Sequence, residues 1–338
     1  MKAVYLLEPG IVEVKEVPLP SPASGEVLIR IRAALTCGTD LKAFLRGHPM
    51  IPMPGLFGHE FSGVVEEAGK GVKRFRPGDE VMSVHTAPCL KCRYCTIKAY
   101  NLCENIMHTK VLGAFAEYII IPQHIVNQNL FHKPTELAFE EAAFLEPLAC
   151  VVHGMRGLNI KKGDSVLIIG AGPIGLLHLL LAKLKGARVM ITGLERDRLE
   201  IARHIGADDI ALPSLLVDNI ETSTEGMGFD YVFECTGQVE VWENAVNYVR
   251  PGGTVILFGG CKQGTIVTYD TYHIHYNEIT LKGIFHFNPA DVKEAYRLLS
   301  GGAIQVKPLI SGSYPLEKIS KPFERLSRGE GIKYAIMP

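Results

Sequence analysis

Two hydrophobic rhythms divide this chain. Up to about residue 150 the apolar residues come in short runs broken by Pro and Gly clusters, and the regular runs alternate. In Glu26–Arg32, Val27, Ile29 and Ile31 point one way and Arg30 and Arg32 the other, as in a strand with one buried face. Gly69-Lys70-Gly71 and Pro77-Gly78-Asp79 read as turns. This half predicts a small, loop-rich antiparallel barrel or sandwich. From about Gly163 the rhythm changes. Ser165–Ile169 is a continuous apolar strand, Pro173–Lys185 a Leu-rich helix, Ala187–Thr192 a second strand and Arg196–His204 a second helix. Phe229–Glu234 and Thr254–Phe258 are further strands. Alternating strand and helix predicts a parallel sheet with helices on both faces. After Ile279–Phe287 the pattern is mixed again, and the tail is expected to rejoin the first domain. The fold class is therefore α/β, a doubly wound parallel sheet beside a β-rich domain. The expected divisions are 1–150, 151–288 and 289–338.

Composition narrows the function classes. The 338 residues suffice for two domains. A formal net charge of −1 demands no polyanionic partner, so no nucleic acid is expected. No apolar run approaches the roughly 18 residues of a membrane span, so no membrane association is expected. Met1-Lys2-Ala3-Val4-Tyr5 runs into a strand-like segment rather than a signal peptide, which points to the cytoplasm. Thiols stay reduced there, and clustered cysteines bind metal more often than they form disulfides.

Cys89, Cys92, Cys95 and Cys103 are spaced C-x2-C-x2-C-x7-C, within a lobe of about 88–104. Four thiolates in one short loop close a tetrahedron around Zn²⁺. Such a site has no open position, so it holds structure and performs no chemistry. It raises the question of a second site, for which Cys37, His59, Glu60 and Glu146 offer thiolate, imidazole and carboxylate. Their spacing alone does not join them, and a lone Cys or His is usually a packed core residue. His59-Glu60 also begins H-E-x-x-H, but position 63 is Gly, which removes the metalloprotease reading.

Gly170-Ala171-Gly172-Pro173-Ile174-Gly175 is G-x-G-x-x-G between a strand and a helix. The first Gly permits a tight turn, the second lets backbone approach a pyrophosphate, and the third lets helix and strand pack closely. The helix N-terminus favours the phosphates. The acidic residue that usually reads the ribose hydroxyls should end the second strand. Gly193 stands there, in Thr192-Gly193-Leu194-Glu195-Arg196. A missing carboxylate removes repulsion against a 2′-phosphate, which Arg196 and Arg198 can pair. Glu195 as a displaced ribose ligand, or both arginines as a solvated helix start, are the competing readings. The balance favours NADP over NAD. Cys235-Thr236-Gly237, Phe258-Gly259-Gly260 and Gly283-Ile284-Phe285-His286 lie at strand ends where such sheets bind ligands, so Thr236, Gly259 and Phe285 join the cofactor candidates. Lys333 is read as reaching back toward the cofactor.

These motifs together resemble the zinc-dependent medium-chain dehydrogenases, most closely the polyol branch of sorbitol, threonine and butanediol dehydrogenases. The resemblance runs nearly end to end. It rests on Cys37–Asp40 (C-G-T-D), Gly58–Val65 (G-H-E-F-S-G-V-V), Pro77–Asp79, the four-cysteine lobe, Ala116–Tyr118, Glu146–Leu148, the glycine fingerprint and Val306–Ile310. It implies a GroES-like catalytic domain beside the Rossmann domain. It further implies Cys37 and His59 as ligands of a catalytic zinc, and Glu60 as a carboxylate beside the metal that binds it as ligands exchange. Glu146 takes the place where the alcohol-dehydrogenase branch carries a second cysteine, and the four cysteines hold a structural zinc. Thr39 resembles the family's proton-relay hydroxyl; a local bond to backbone in a turn is its plain alternative. Asp40 and His48 are read as orienting that loop or completing a water chain.

The expected activity is hydride transfer between a secondary alcohol (a polyol, sugar alcohol or diol) and NAD(P). The metal would lower the pKa of the substrate hydroxyl, as it lowers that of bound water from about 15.7 to about 7. A threonine-type amino-alcohol dehydrogenase is the nearest alternative. A non-catalytic NAD(P)H-binding zinc protein is a more distant one. The resemblance also implies a homotetramer or homodimer.

Overall fold

Val27–Leu35 is the strand on which the first unit is built. It pairs antiparallel along its length with Glu60–Ala68, at its start with Tyr118–Ile121, and at its end with Lys333–Met337. Arg30 and Arg32 are exposed as the alternation requires, but Leu28 is buried along with Val27, Ile29 and Ile31. Glu80–Ser83, Leu130–His132 and Ile310–Pro315 complete a seven-stranded sheet. Lys2–Glu8 forms a smaller sheet with Ile11–Glu16 and Gly55–Leu56. Phe44, Phe57, Phe115 and Phe323 pack ring against ring under these strands, with centroids 4.9 to 5.9 Å apart. Each is buried, and burying a side chain of this size stabilises by about 1.5–3 kcal/mol.

The computed structural model describes residues 1–338. It divides them into Met1–Cys150 with Phe287–Pro338, and Val151–His286.

In the second unit six strands are all parallel. Ser165–Ile169 lies in the middle, flanked by Arg188–Thr192 then Asp209–Ala211 on one side, and by Phe229–Glu234, Val249–Leu257 and Thr280–Gly283 on the other. The first strand therefore sits between the second and the fourth. The order reverses beside it, which is where open α/β sheets bind ligands, at the carboxyl ends. Ser165–Ile169, Arg196–His204 and Phe229–Glu234 match the hydrophobic pattern. The fifth strand starts at Val249, earlier than its apolar run. The ladder slips between Phe229 and Tyr231, opposite Arg250-Pro251-Gly252-Gly253. No helix is long and apolar enough to cross a membrane.

Candidate metal and dinucleotide sites

The register of the central pair builds the first site. Leu35 faces Glu60 across the ladder, so Cys37 and His59, each just beyond a strand end, emerge side by side. Cys37 caps the helix Gly38–Arg46, and its sulfur accepts the Thr39 N–H at 3.5 Å. Donor atoms of Cys37, His59 and Glu60 lie within 4.8 Å of one another. Asp40, fully buried, places Oδ1 3.3 Å from His59 Nδ1. This is an ion-pair contact rather than a well-aligned hydrogen bond, because neither Asp40 oxygen has a hydrogen-bond partner. With Nδ1 turned to a carboxylate, Nε2 is the nitrogen left for a metal. Burial alone would lower the His59 imidazole, but Asp40 and Cys37 raise it well above its ordinary value. Buried anionic groups here draw positive charge, a demand that a divalent cation with thiolate, imidazole and carboxylate donors meets.

Glu60 is held from its other side. Lys333, on the strand Lys333–Met337, makes a very short ion pair with Glu60 Oε2 and donates to Thr36 O at 2.7 Å. Both side chains are 1% exposed. Burial pushes Glu60 up and Lys333 down; their attraction opposes both, and on Lys333 it prevails. The lysine is therefore protonated and paired. Lys333, read from the sequence as reaching toward the cofactor, is held in this structure by Glu60 and Thr36, on a strand whose Ala335 and Ile336 pair with Leu35 and Ala34.

Glu146, near the start of the helix Leu145–Gly154, stands outside the close group of Cys37, His59 and Glu60. It contacts His85, Oε1 to Nδ1 at 3.4 Å, and lies 3.8 Å from the Cys150 sulfur. The His85 ring packs edge-on to that of His59, centroids 4.9 Å apart. Burial pushes the Glu146 carboxyl up to about 7. His85 escaped the sequence reading. Its signal was register: Ser83 pairs with Phe61, so two residues further on His85 meets His59. Thr39 is half-buried in the first helical turn. His48 accepts the Met50 N–H at 3.3 Å and serves its own turn.

The four-cysteine lobe brings the sulfurs of Cys89, Cys92, Cys95 and Cys103 within 4.8 Å of one another. Leu90 and Lys98 adopt left-handed backbone, φ 61 and 64, costing of order 1 kcal/mol each for non-glycine residues. The turn aims the Lys91 and Cys92 N–H groups at the Cys89 sulfur, which lowers its thiol to about 6, while burial and neighbouring sulfurs push Cys95 up to about 12. Four thiolates this close repel one another unless they share a cation. The donor set fits a closed zinc site.

In the second unit the glycine turn obeys sterics. Gly170 has φ 113, and a Cβ on Gly175 would meet Gly170 O at 1.9 Å, so helix Pro173–Leu184 packs tightly on its strand. A Cβ on Gly172 would meet nothing within 4 Å, as expected of a cradle open to a ligand. Ile174 follows Pro173 in the first turn. Thr236 borders the turn, its methyl 3.0 Å from a Cβ built on Gly170, and its N–H donates to Glu234 at 2.7 Å. Gly259 packs on Gly237, and its carbonyl accepts Trp242 Nε1 at 2.8 Å. Phe285 is 44% exposed. Gly193 is buried against the same turn, where a Cβ would come 2.8 Å from that of Ala171. The absent carboxylate is thus a packing requirement. Glu195 and Arg198 pair with each other at 3.5 Å, and Arg196 is exposed. These donors and cradles fit a dinucleotide.

Residues 23–131 match the family profile of the alcohol dehydrogenase GroES-like domain. Residues 173–301 match that of the zinc-binding dehydrogenases. The sorbitol dehydrogenase of Halalkalibacterium halodurans is 36% identical over 351 residues, covering 100% of this chain and 99% of the relative. The D-arabitol-phosphate dehydrogenase of Enterococcus avium is 34% identical, covering 99% and 97%. A Sinorhizobium meliloti chain described as a zinc-binding dehydrogenase and solved with NADP superposes with TM-score 0.90 at 32% identity, covering 100% and 99%.

Replacing Cys103 by Ser opens the lobe. The variant is expected to lose the tightly held zinc and to melt several degrees lower, on the scale of a lost structural metal. Differential scanning calorimetry with metal analysis checks this; an unshifted melting temperature at full metal content would contradict it.

Proposed function

Because the chain belongs to the zinc-dependent medium-chain dehydrogenases, in their polyol branch, we propose that Cys37 and His59 hold the catalytic zinc of an NAD(P)-dependent polyol oxidoreductase. The activity passes a hydride between a secondary alcohol and the nicotinamide. The observation carrying the site assignment is the convergence of Cys37, His59 and Glu60 within 4.8 Å, with Asp40 behind His59. Zinc bound there supplies Lewis acidity, favouring the ionised form of the substrate hydroxyl.

The chain's own residues do the rest. The Asp40 carboxylate, 3.3 Å from His59 Nδ1, orients the ring. Glu60 is paired with Lys333, so it would not add its full negative charge to the metal. A less anionic ligand set leaves the metal a stronger acid. Thr39, two residues beyond Cys37, would relay the hydroxyl proton, accepting it while passing its own hydroxyl hydrogen on to solvent water. Glu146 in place of a second thiolate gives a harder environment that suits several hydroxyl groups, which supports a polyol or sugar alcohol as substrate. An amino-alcohol of the threonine type is the competitor in any substrate screen.

For the cofactor, Gly172 and Gly175 shape the phosphate cradle, and Thr236, Gly259 and Phe285 line the strand ends beside it. Exclusion of a side chain at Gly193 and the exposed Arg196 beside it support NADP, with Arg196 on the 2′-phosphate and Arg198 held by Glu195. The two units serve as catalytic and dinucleotide-binding domains, with the tail returning to the catalytic one. The thiolate-rich lobe suits a reducing cytoplasm. Family resemblance supports a homotetramer or homodimer, which analytical ultracentrifugation resolves.

Purified protein is expected to carry about two zinc ions per chain, one of them readily removed by chelator. Cys37→Ser should lose that ion and, by loss of several kcal/mol of charge stabilisation, on the order of a thousandfold in kcat. Retained turnover would refute the site. Thr39→Ala should lower kcat for alcohol oxidation about a hundredfold while Thr39→Ser retains it, the scale of a positioned proton acceptor. Equal rates for the two variants would remove the relay. Arg196→Ala should raise KM for NADP⁺ by roughly ten- to a hundredfold, the worth of a charge-assisted contact, with little change for NAD⁺. Parallel changes for both cofactors would reject the phosphate assignment.

A further inference from the structure

We infer that Glu234 is a positioning residue for the dinucleotide: it clamps two strand-end turns beside the glycine cradle to each other, and so sets the affinity for NADP and NAD alike. Glu234 ends the fourth strand of the parallel sheet, where it pairs with Ile169 of the first strand and Leu257 of the fifth. That is the crevice at which the strand order reverses. The residue is 0% exposed, and a carboxylate so placed needs donors around it. Its side chain and its backbone serve different turns. Oε1 accepts the Thr236 N–H at 2.7 Å, the Gly237 N–H at 3.0 Å and the Thr236 hydroxyl. The backbone carbonyl accepts the N–H groups of Phe258 at 3.0 Å and of Gly259 at 2.9 Å.

The two turns meet over this residue. Gly237 has φ 70, and a Cβ on it would lie 2.5 Å from Gly260 O. A Cβ on Gly259 would lie 2.2 Å from Gly237 N and 2.7 Å from Glu234 Oε2, so the carboxylate fills the space a side chain there would take. The first of the turns also touches the cradle. Cys235 N–H donates to Ile169 O at 2.9 Å, and the Thr236 methyl stands 3.0 Å from a Cβ built on Gly170. Burial raises the Glu234 carboxyl above its ordinary value, against the pull of the Thr236 and Gly237 donors. Without an acceptor at Oε1 those three donors are buried and unpaired, and the turn must shift to find other partners. Oε2 has no hydrogen-bond partner, so an amide that keeps Oε1 loses none of these bonds.

Trp242 supplies the readout. It is the chain's single tryptophan, and its indole N–H donates to Gly259 O at 2.8 Å. Its emission overlaps the absorption of reduced nicotinamide, so titrating the holoenzyme with NADPH or NADH quenches it as either binds. Glu234→Leu, similar in size and without an acceptor, should weaken both cofactors in equal proportion by about ten- to a hundredfold, the worth of one hydrogen bond to a charged group. Glu234→Gln should bind both near the wild-type affinity. At saturating cofactor the kcat of the Leu variant should return close to wild type, a split that damage to the fold would not produce. Should the Leu variant not fold, Glu234→Asp, one methylene short of the turn, should show the same loss. Unchanged affinity in these variants would overturn the inference, as would a loss confined to one cofactor. So would a loss in Glu234→Gln as large as in Glu234→Leu, or a kcat that stays low at saturation. The inference rests on the dinucleotide site proposed above. Wild-type protein that binds neither NADPH nor NADH would bring down that reading, whereas binding indifferent to Glu234 would bring down this inference alone.

Discussion

The pairing of Leu35 with Glu60 is the contact on which the rest of this molecule's chemistry depends. A strand presents its side chains alternately, so a slip of one residue would turn Glu60 away from the site and separate Cys37 from His59. Three ladders hold that register. Val27–Leu35 is paired on one side by Glu60–Ala68, and on the other by Tyr118–Ile121 at its start and Lys333–Met337 at its end. The same arithmetic carries His85 beside His59 through the Ser83–Phe61 pair. Backbone hydrogen bonds of the sheet thus set the geometry of the Cys37, His59 and Glu60 group. Loops could not hold four separated chain segments to one another so closely.

The ionisable groups gathered there stand in pairs. Asp40 sits behind His59, Lys333 behind Glu60, and His85 beside Glu146. Each buried ionisable group would be expensive alone and tolerable with its partner. Asp40, together with Cys37, raises His59 well above its usual value. A divalent cation relieves that demand more completely than a proton does. The lobe shows the same physics in another form, four sulfurs that share one cation or remain mutually repelled.

Much of this was legible in the amino-acid sequence, and the exceptions have physical reasons. Short motifs with local geometry were readable because their partners are neighbours in the chain: the four cysteines, the glycine turn, the strand–helix alternation. The candidates at 37, 59 and 60 were readable as residue types but joined only by family resemblance, since sheet register is invisible to spacing. The pairing of Lys333 with Glu60 was not legible for the same reason, since 273 positions separate the two residues. His85 gave no motif at all. Gly193 was read as a missing carboxylate, whereas the packing of Ala171 against it shows why no side chain fits.

The central claim is that one zinc lies among four thiolates and another at a site with a single thiolate. Diffraction data collected on either side of the zinc absorption edge test it most directly. About two anomalous peaks per chain are expected, one among Cys89, Cys92, Cys95 and Cys103, and one at bonding distance of roughly 2.0–2.3 Å from the Cys37 sulfur and a His59 nitrogen. A peak confined to the lobe, or a second peak away from Cys37 and His59, would contradict it.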